Sequence, residues 1–218
     1  MATLLIDNLA KTYAPGTPNA VDAVAGVSMR MEDGERVAIV GPSGGGKTTL
    51  LMLIAGLLSP TEGTITLGGR DLSGVRPDKR NLAVVFQHDA LYPHLSARKH
   101  LELSLRSSGV PRRSMPARIS TVADRLGIVD CLGRSPGALS GGQRRRVALA
   151  RAMVRPADLV LLDEPLSGVD DAMSEQIRGG LLEHWAQTPA TVLIVTHNER
   201  TADQLAGRTL TMQGGKLG

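Results

Sequence analysis

The stretch Gly41-Pro42-Ser43-Gly44-Gly45-Gly46-Lys47-Thr48 decides how the chain is read. It fits the G-x-x-x-x-G-K-[ST] pattern of a phosphate-binding loop. Its flanks fit as well. Residues 36–40 are a short apolar run with β-branched Val37, Ile39 and Val40, which predicts a strand. Residues 48–57 set Leu50, Leu51, Leu53, Ile54 and Leu57 at helical spacing. A polyphosphate demands many donors at close range. Glycines let backbone N–H groups wrap the anion because no Cβ intervenes. The helix that follows turns unpaired N–H groups and its positive dipole end toward the same anion. Lys47 supplies a movable point charge for the β- and γ-phosphates, and the Thr48 hydroxyl can ligate Mg²⁺. The loop implies nucleotide binding and leaves open what the energy is used for.

A chain of 218 residues predicts one domain with room for a subdomain, large enough to bury a core without staples. The single cysteine, Cys131, excludes an internal disulfide and a Cys-rich zinc site, and reads as a small buried apolar residue. His88, His94 and His100 are irregularly spaced, with no cysteine or second carboxylate nearby. They read as loop or surface histidines, and no transition-metal site is expected. Net charge is +4, concentrated only at Arg144-Arg145-Arg146 and Arg112-Arg113. That balance reads as solubility with some anion attraction. Tyr13, Phe86, Tyr92 and Trp185 are too few aromatics for a base-stacking platform, so no nucleic-acid partner is expected. Residues 1–5 lack a basic region and a long apolar stretch, so no leader is expected. No apolar run approaches the ~20 residues that span a bilayer, and a membrane role would need a partner.

Residues 3–8 and 24–31 predict strands around a turn-rich loop at 14–19. Asp33-Gly34 has hairpin-turn chemistry and leads into the strand at 36–40. Residues 64–67 and 82–86 predict further short strands, and these opening strands suggest an antiparallel layer beside the nucleotide. Residues 95–105 and 115–126 carry helix-like spacing, broken at Gly109-Val110-Pro111. Strand signal is sparse over 87–139, so a helical subdomain is expected there. Residues 159–162 are wholly apolar, as in a strand covered on both faces. Residues 173–185 predict a helix with Met173, Ile177, Leu181 and Trp185 on one stripe. Residues 191–195 predict a second buried strand, Asn198 a cap for a short helix to 205, and 210–212 a last strand. Strand and helix alternate in this half, which implies a parallel sheet with helices on its faces.

Asp163 and Glu164 end the strand at 159–162, where open α/β sheets bind ligands. Asp163 reads as a holder of Mg²⁺, directly or through water, and Glu164 as the general base orienting an attacking water. The plain alternative is two solvated acids in a loop. His197 follows the second buried strand, where it can hydrogen-bond a γ-phosphate or hold the water. In Leu139-Ser140-Gly141-Gly142-Gln143, Ser140 is an N-cap and Gln143 completes a capping box. The same geometry makes Ser140 and the Gly141 and Gly142 amides a second anion-binding helix end. One anion site already lies at Lys47, so a second invites use by another subunit.

With these residues in place, the chain resembles the nucleotide-binding subunit of ABC transporters over nearly its whole length. Residues 139–143 look like the family's signature motif, at matching spacing from the phosphate loop and from Asp163-Glu164. Tyr13 falls where the family stacks an aromatic ring on adenine. Gln87, in Val85-Phe86-Gln87, falls where the family's Q-loop glutamine meets Mg²⁺ and the membrane-domain contact. Ser167-Gly168-Val169-Asp170 falls at the D-loop and His197 at the switch histidine. The resemblance implies an α/β fold, a P-loop NTPase of ABC type: a mostly parallel core sheet with an antiparallel β subdomain and a helical insert. The expected organisation is a single domain over 1–218, with the insert at about 88–155.

The resemblance also implies the site. Catalysis would rest on Glu164, His197, Lys47 and Gln87. ATP would be held by Tyr13, Gly41, Pro42, Ser43, Gly44, Gly45, Gly46, Lys47, Thr48 and Thr49, and across a dimer by Ser140, Gly141, Gly142, Gln143 and Asp170. Mg²⁺ would be held by Thr48, Gln87 and Asp163. Two such domains pair head to tail in this family, here as a homodimer, with transmembrane permease subunits and a substrate-binding protein as partners. The expected location is peripheral, on the cytoplasmic face of the membrane. Residues 85–96 look most like bacterial importers for sugars, polyamines, ferric iron or thiamine, and residues 144–155 and 163–167 agree. Sugar-importer ATPases carry a further C-terminal regulatory domain. The chain stops at Gly218 without one, which favours short importer types or a truncated chain. Asn198 stands where an acid commonly follows the switch histidine. Two alternatives stay open. Soluble ABC-type ATPases act on nucleic acid or ribosomes, but usually show coiled-coil insertions, cysteine zinc modules or tandem ATPase domains. The other is an exporter's ATPase, against which residues 87–96 argue.

Overall fold

The computed structural model describes residues 2–218; Met1, which opens the segment read for a leader, lies outside the described residues. In chain order, β1 (Leu4–Tyr13), β2 (Val21–Met31) and β3 (Arg36–Val40) lead into α1 (Lys47–Ala55). There follow β4 (Glu62–Leu67), β5 (Arg70–Asp71) and β6 (Leu82–Val85). Helices α2 (Ala97–Ser107), α3 (Met115–Arg125) and α4 (Gly141–Met153) fill the middle. The last third holds β7 (Leu159–Asp163), α5 (Asp171–Gln187), β8 (Val192–Thr196), α6 (Glu199–Leu205), β9 (Arg208–Gln213) and β10 (Lys216–Leu217). The chain divides into two compact units. The first takes the residues up to Val84, Ala157–Glu164 and Ala190–Gly218, and the second takes Val85–Pro156 and Pro165–Pro189.

Among the described residues the strands form two sheets. The smaller has the order β2-β1-β4-β5 and is antiparallel. Along β1, Leu4 and Ile6 are buried while Leu5 and Asp7 are exposed, the alternation of a strand with one face on a core. Asn8 has φ 46°, and the register with β2 shifts after Ile6, which marks a bulge. The larger sheet has the order β10-β9-β3-β8-β7-β6. In it β3 runs parallel to β8 and β9, and β7 runs parallel to β8. Every residue of β7 and β8 is buried, as expected where α1 packs on both strands.

Two strand expectations change. Asp33-Gly34 does make a turn, with the Glu35 N–H donating to Glu32 O at 3.0 Å, but β2 and β3 on either side lie in different sheets. Turn chemistry decides the local bend and does not decide the pairing. Residues 82–86 do not join the antiparallel layer either, because β6 borders β7 in the larger sheet. Its buried Leu82, Ala83 and Val85 suit that place.

Helix α1 is anchored at its far end by Arg80, which is 7% exposed. The guanidinium donates to Leu53 O (3.0 Å), Ile54 O (2.8 Å), Leu72 O (3.0 Å) and Val75 O (2.9 Å). A cation on the last carbonyls of α1 complements the negative end of the helix dipole. The helix that begins at Lys47 is thereby tied to the chain entering β6.

The second unit is built on α2 to α5. Within it α4 packs on α2 and α5, and α3 packs on α5. Ser96 caps α2, accepting from the Lys99 N–H at 3.4 Å, and the break at residues 109–111 separates α2 from α3 as expected. Pro165–Pro189, with α5, belongs to this unit as well, beyond the 88–155 assigned to the insert from the sequence. In the Arg144-Arg145-Arg146 run, part of a charge balance read as solubility with some anion attraction, Arg145 and Arg146 are only 3% and 8% exposed. Arg146 donates to Leu126 O (3.0 Å) and Gly127 O (2.7 Å), so its charge serves carbonyls of an irregular turn. His184 on α5 is buried, and its Nδ1 lies 2.8 Å from Arg125 Nη1. Burial, and then the Arg125 charge, push the His184 pKa down to about 4.

Candidate active site

The register of the larger sheet gathers the candidate residues of the first unit. Val40 of β3 stands opposite Thr196 of β8, and Asp163 of β7 stands opposite Val195. The three neighbouring parallel strands therefore release the 41–46 loop, His197 and Glu164 from one edge, the carboxyl edge where α/β sheets bind ligands.

Within the loop, Gly41 has φ 152° and Gly46 has φ 98°. A Cβ on Gly41 would come within 2.0 Å of Met212 O, and one on Gly46 within 2.0 Å of Ala23 O, so only glycine fits at either place. Gly46 is the N-cap of α1 and makes no side-chain cap bond, which leaves the first helical N–H groups to an anion. Lys47 arches back over the loop, its Nζ donating to Gly41 O at 2.7 Å and Pro42 O at 2.8 Å. Thr48 Oγ1 lies 3.2 and 3.4 Å from the two carboxylate oxygens of Asp163, which is 2% exposed. A hydroxyl beside a buried carboxylate is a pair of hard oxygen donors of the kind Mg²⁺ takes.

Glu164 has φ 50°, in the left-handed region that a glutamate rarely enters. Such a conformation costs of order 1–3 kcal/mol and persists only where its surroundings over-determine it. Here they do. The Glu164 N–H donates to Val195 O at 2.9 Å. Its Oε1 accepts from the His197 backbone N–H (2.8 Å) and from His197 Nδ1 (2.7 Å), and its Oε2 accepts from Thr196 Oγ1 (2.9 Å). The carboxylate is buried while the imidazole is 59% exposed. With Nδ1 donating to the carboxylate, Nε2 is the nitrogen left for a ligand. The structure thus joins as a pair two residues that the sequence reading kept in separate roles. Thr196 was not singled out. A polar residue closing an apolar strand just before His197 was the signal that could have found it.

Tyr13 ends β1 opposite Val21; the residue is 40% exposed, and Lys11 Nζ lies 5.7 Å from the ring centroid. In the second unit the capping box of α4 is formed: Ser140 Oγ accepts from the Gln143 N–H at 3.2 Å, and Gln143 Oε1 accepts from the Ser140 N–H at 2.9 Å. Gly141 and Gly142 then open the helix as its first turn. Asp170 caps α5, accepting from the Met173 N–H at 2.8 Å. Gln87 is exposed. His88 and His94 are exposed as expected, but His100 is 1% exposed and not a surface residue. It lies on the inner face of α2 with Ala97, Leu101 and Leu105, a helical spacing that was legible in the sequence. Its ring stacks on Tyr92 at 5.9 Å, and burial lowers its pKa from the usual value.

The profile of the family described as ABC transporter matches residues 24–167. The chain belongs to the ABC transporter family. Among its relatives is the sn-glycerol-3-phosphate import ATP-binding protein UgpC 1 of Rhizobium etli, 43% identical over 217 residues, which cover 100% of this chain and 61% of that protein. The UgpC protein of the same description from Paracoccus denitrificans is 41% identical over 215 residues, 99% of this chain and 60% of that protein. This ABC chain therefore spans about three-fifths of the length of the curated relatives it matches. Among solved structures, a dimeric post-hydrolysis state of the ATP-binding cassette MJ0796 bound to ADP and Pi superposes with a TM-score of 0.87 at 29% identity, covering 98% of this chain and 96% of that one. A second dimeric structure of that bacterial ABC transporter cassette gives 0.88 at 28% identity. The fold is that of an ABC ATPase cassette.

Proposed function

We propose that this ABC chain binds ATP with Mg²⁺, hydrolyses it, and powers solute import through membrane subunits. The observation that carries the reading is the Glu164–His197 pair, set on the same sheet edge as the Lys47 loop and Asp163. The loop amides and Lys47 bind the phosphates, Lys47 exchanging its two carbonyl partners for phosphate oxygens. Thr48 and Asp163, joined by Gln87 on the family resemblance, would hold Mg²⁺, which would supply positive charge against that of the phosphates. Glu164 accepts a proton from the water that attacks the γ-phosphorus, and ADP leaves on the opposite side. His197, fixed through Nδ1, presents Nε2 to the γ-phosphate or the water. Tyr13 supplies a ring face for the adenine.

Ser140, Gly141, Gly142, Gln143 and Asp170 serve the nucleotide held by a second copy, so that ATP bridges a head-to-tail homodimer. The dimeric form of the solved neighbours supports this pairing. The relatives' names support sn-glycerol-3-phosphate, or a solute of that class, as cargo. Permease subunits and a substrate-binding protein are the partners that the family resemblance implies. No helix among the described residues is long and apolar enough to cross a membrane. The reading makes the chain a peripheral subunit on the cytoplasmic face, with the conducting path in the permeases.

Affinity purification of the tagged protein from gently solubilised native membranes tests the assignment. Recovery of a multi-span membrane protein is expected. Recovery of ribosomal or DNA-associated partners alone, across several detergents, would replace import by a soluble ATPase role.

A further inference from the structure

Residues 86–92 follow β6 without regular structure, yet side chains of α2 and α4 grip their backbone at close intervals. Arg145, on the second turn of α4, is 3% exposed. Its Nη1 lies 2.8 Å from Phe86 O, 3.4 Å from Gln87 O and 3.3 Å from the Asp89 carboxylate. Its Nε donates to Pro165 O at 3.0 Å. Arg151, further along the same helix, donates to Ala90 O at 2.8 Å, and Ala90 sits at φ 44°. On α2, His100 Nε2 accepts from the Tyr92 N–H at 2.8 Å, while His100 Nδ1 donates to Ser96 O at 2.9 Å. Gln87 itself is exposed, so its amide is free to meet a ligand while its backbone is held from beneath.

A buried guanidinium is an expensive staple, because its desolvation must be offset by several well-placed acceptors. What it adds is geometry. A rigid fork fixes two carbonyls and a carboxylate at once, whereas a lysine offers one flexible point charge. We propose that Arg145 is a positioning residue for ATP hydrolysis. It sets where the Gln87 amide stands by holding the Phe86 and Gln87 carbonyls on the helix that Ser140 caps. The inference rests on the reading of Gln87 as a participant in hydrolysis.

The test compares steady-state ATP hydrolysis by the full chain with Arg145→Lys, Gln87→Ala and the double variant. Trp185 fluorescence checks that each variant is folded. Arg145→Lys is expected to lower kcat about tenfold with KM unchanged, since a sub-ångström misplacement of a reacting group costs that much or more. The double variant is expected to be no slower than Gln87→Ala alone, because Arg145 acts through Gln87. A folded Arg145→Lys at the parent kcat overturns the proposal. So does a double variant whose loss is the product of the two single losses, which would make Arg145 a staple of the fold. If Arg145→Lys does not fold, Asp89→Asn loosens the same grip and is judged by the same non-additivity with Gln87→Ala. Gln87→Ala at the parent rate would remove the Gln87 reading and this inference together. A Gln87→Ala loss with additive behaviour removes the inference alone.

Discussion

The carboxyl edge of the larger sheet and the segment after β6 both hold polar side chains in place, by different means. At the sheet edge the backbone does most of the placing: three parallel strands in register set Asp163, Glu164 and His197 beside the glycine loop. Only short side-chain bonds, from Thr196 and His197 to Glu164, finish the arrangement. The segment 86–92 has no ladder, and its carbonyls are met by the buried Arg145 and the half-buried Arg151 of α4. A site on strand ends tolerates few backbone alternatives. A site on a clamped loop can be released by one side-chain change.

The largest expected effect tests the strand-edge half. Glu164→Gln should cut turnover by at least about a hundredfold while nucleotide affinity is kept, since general-base contributions run about 10²–10⁴-fold. Single-turnover hydrolysis with parallel binding titrations checks it; an unchanged rate would mean that the edge presents no base.

Acid should loosen the second unit first. His184 has its pKa lowered from 6.5 to about 4, so the unfolded chain binds the extra proton between those values. The contribution is fully present above pH 6.5 and is lost as pH falls toward 4, for a total of roughly 3 kcal/mol. Trp185, the sole tryptophan, lies beside it on α5, so urea unfolding followed by fluorescence reads this unit. The His184→Gln variant should show a flatter pH dependence in that window. Parallel curves for the two proteins would contradict the assignment.

Thr196→Val keeps the strand and removes one donor to Glu164 Oε2. Turnover should fall about tenfold, the size of one hydrogen bond to a charged group. No change would show that strand register alone holds the carboxylate. Smallest, Ser140→Ala should destabilise α4 by about 1 kcal/mol through loss of its cap, read as a shift in the same fluorescence midpoint.

Much of the candidate site's local geometry was legible because glycine turns and helix caps demand particular residues at fixed spacing. The glycines at 41 and 46 meet carbonyls at distances no Cβ allows, and the capping box at Ser140 formed as its spacing predicts. Buried runs gave β3, β7 and β8 to within a residue or two, because strands covered on both faces must be apolar throughout. Less legible were contacts between residues far apart in the chain. Arg145 and Arg146 stood out only as part of a basic run, and nothing in their neighbours announced that distant carbonyls would surround them. The Asp33-Gly34 turn was read correctly as a turn and wrongly as a hairpin, since a bend carries no information about the sheet its second strand joins.

The sequence by itself determined the glycine loop at 41–46, the acid pair at a strand end, the capped start of α4 and the alternation of strand and helix. Each of these is a local pattern imposed by backbone conformation or periodicity. Only the tertiary structure decided that His197 is hydrogen-bonded to Glu164, that β6 leaves the antiparallel layer, and that arginines of α4 hold the Gln87 segment. Those outcomes depend on which buried polar groups find partners across the fold. Satisfying them is a global condition, and no window of sequence contains both halves of the pair.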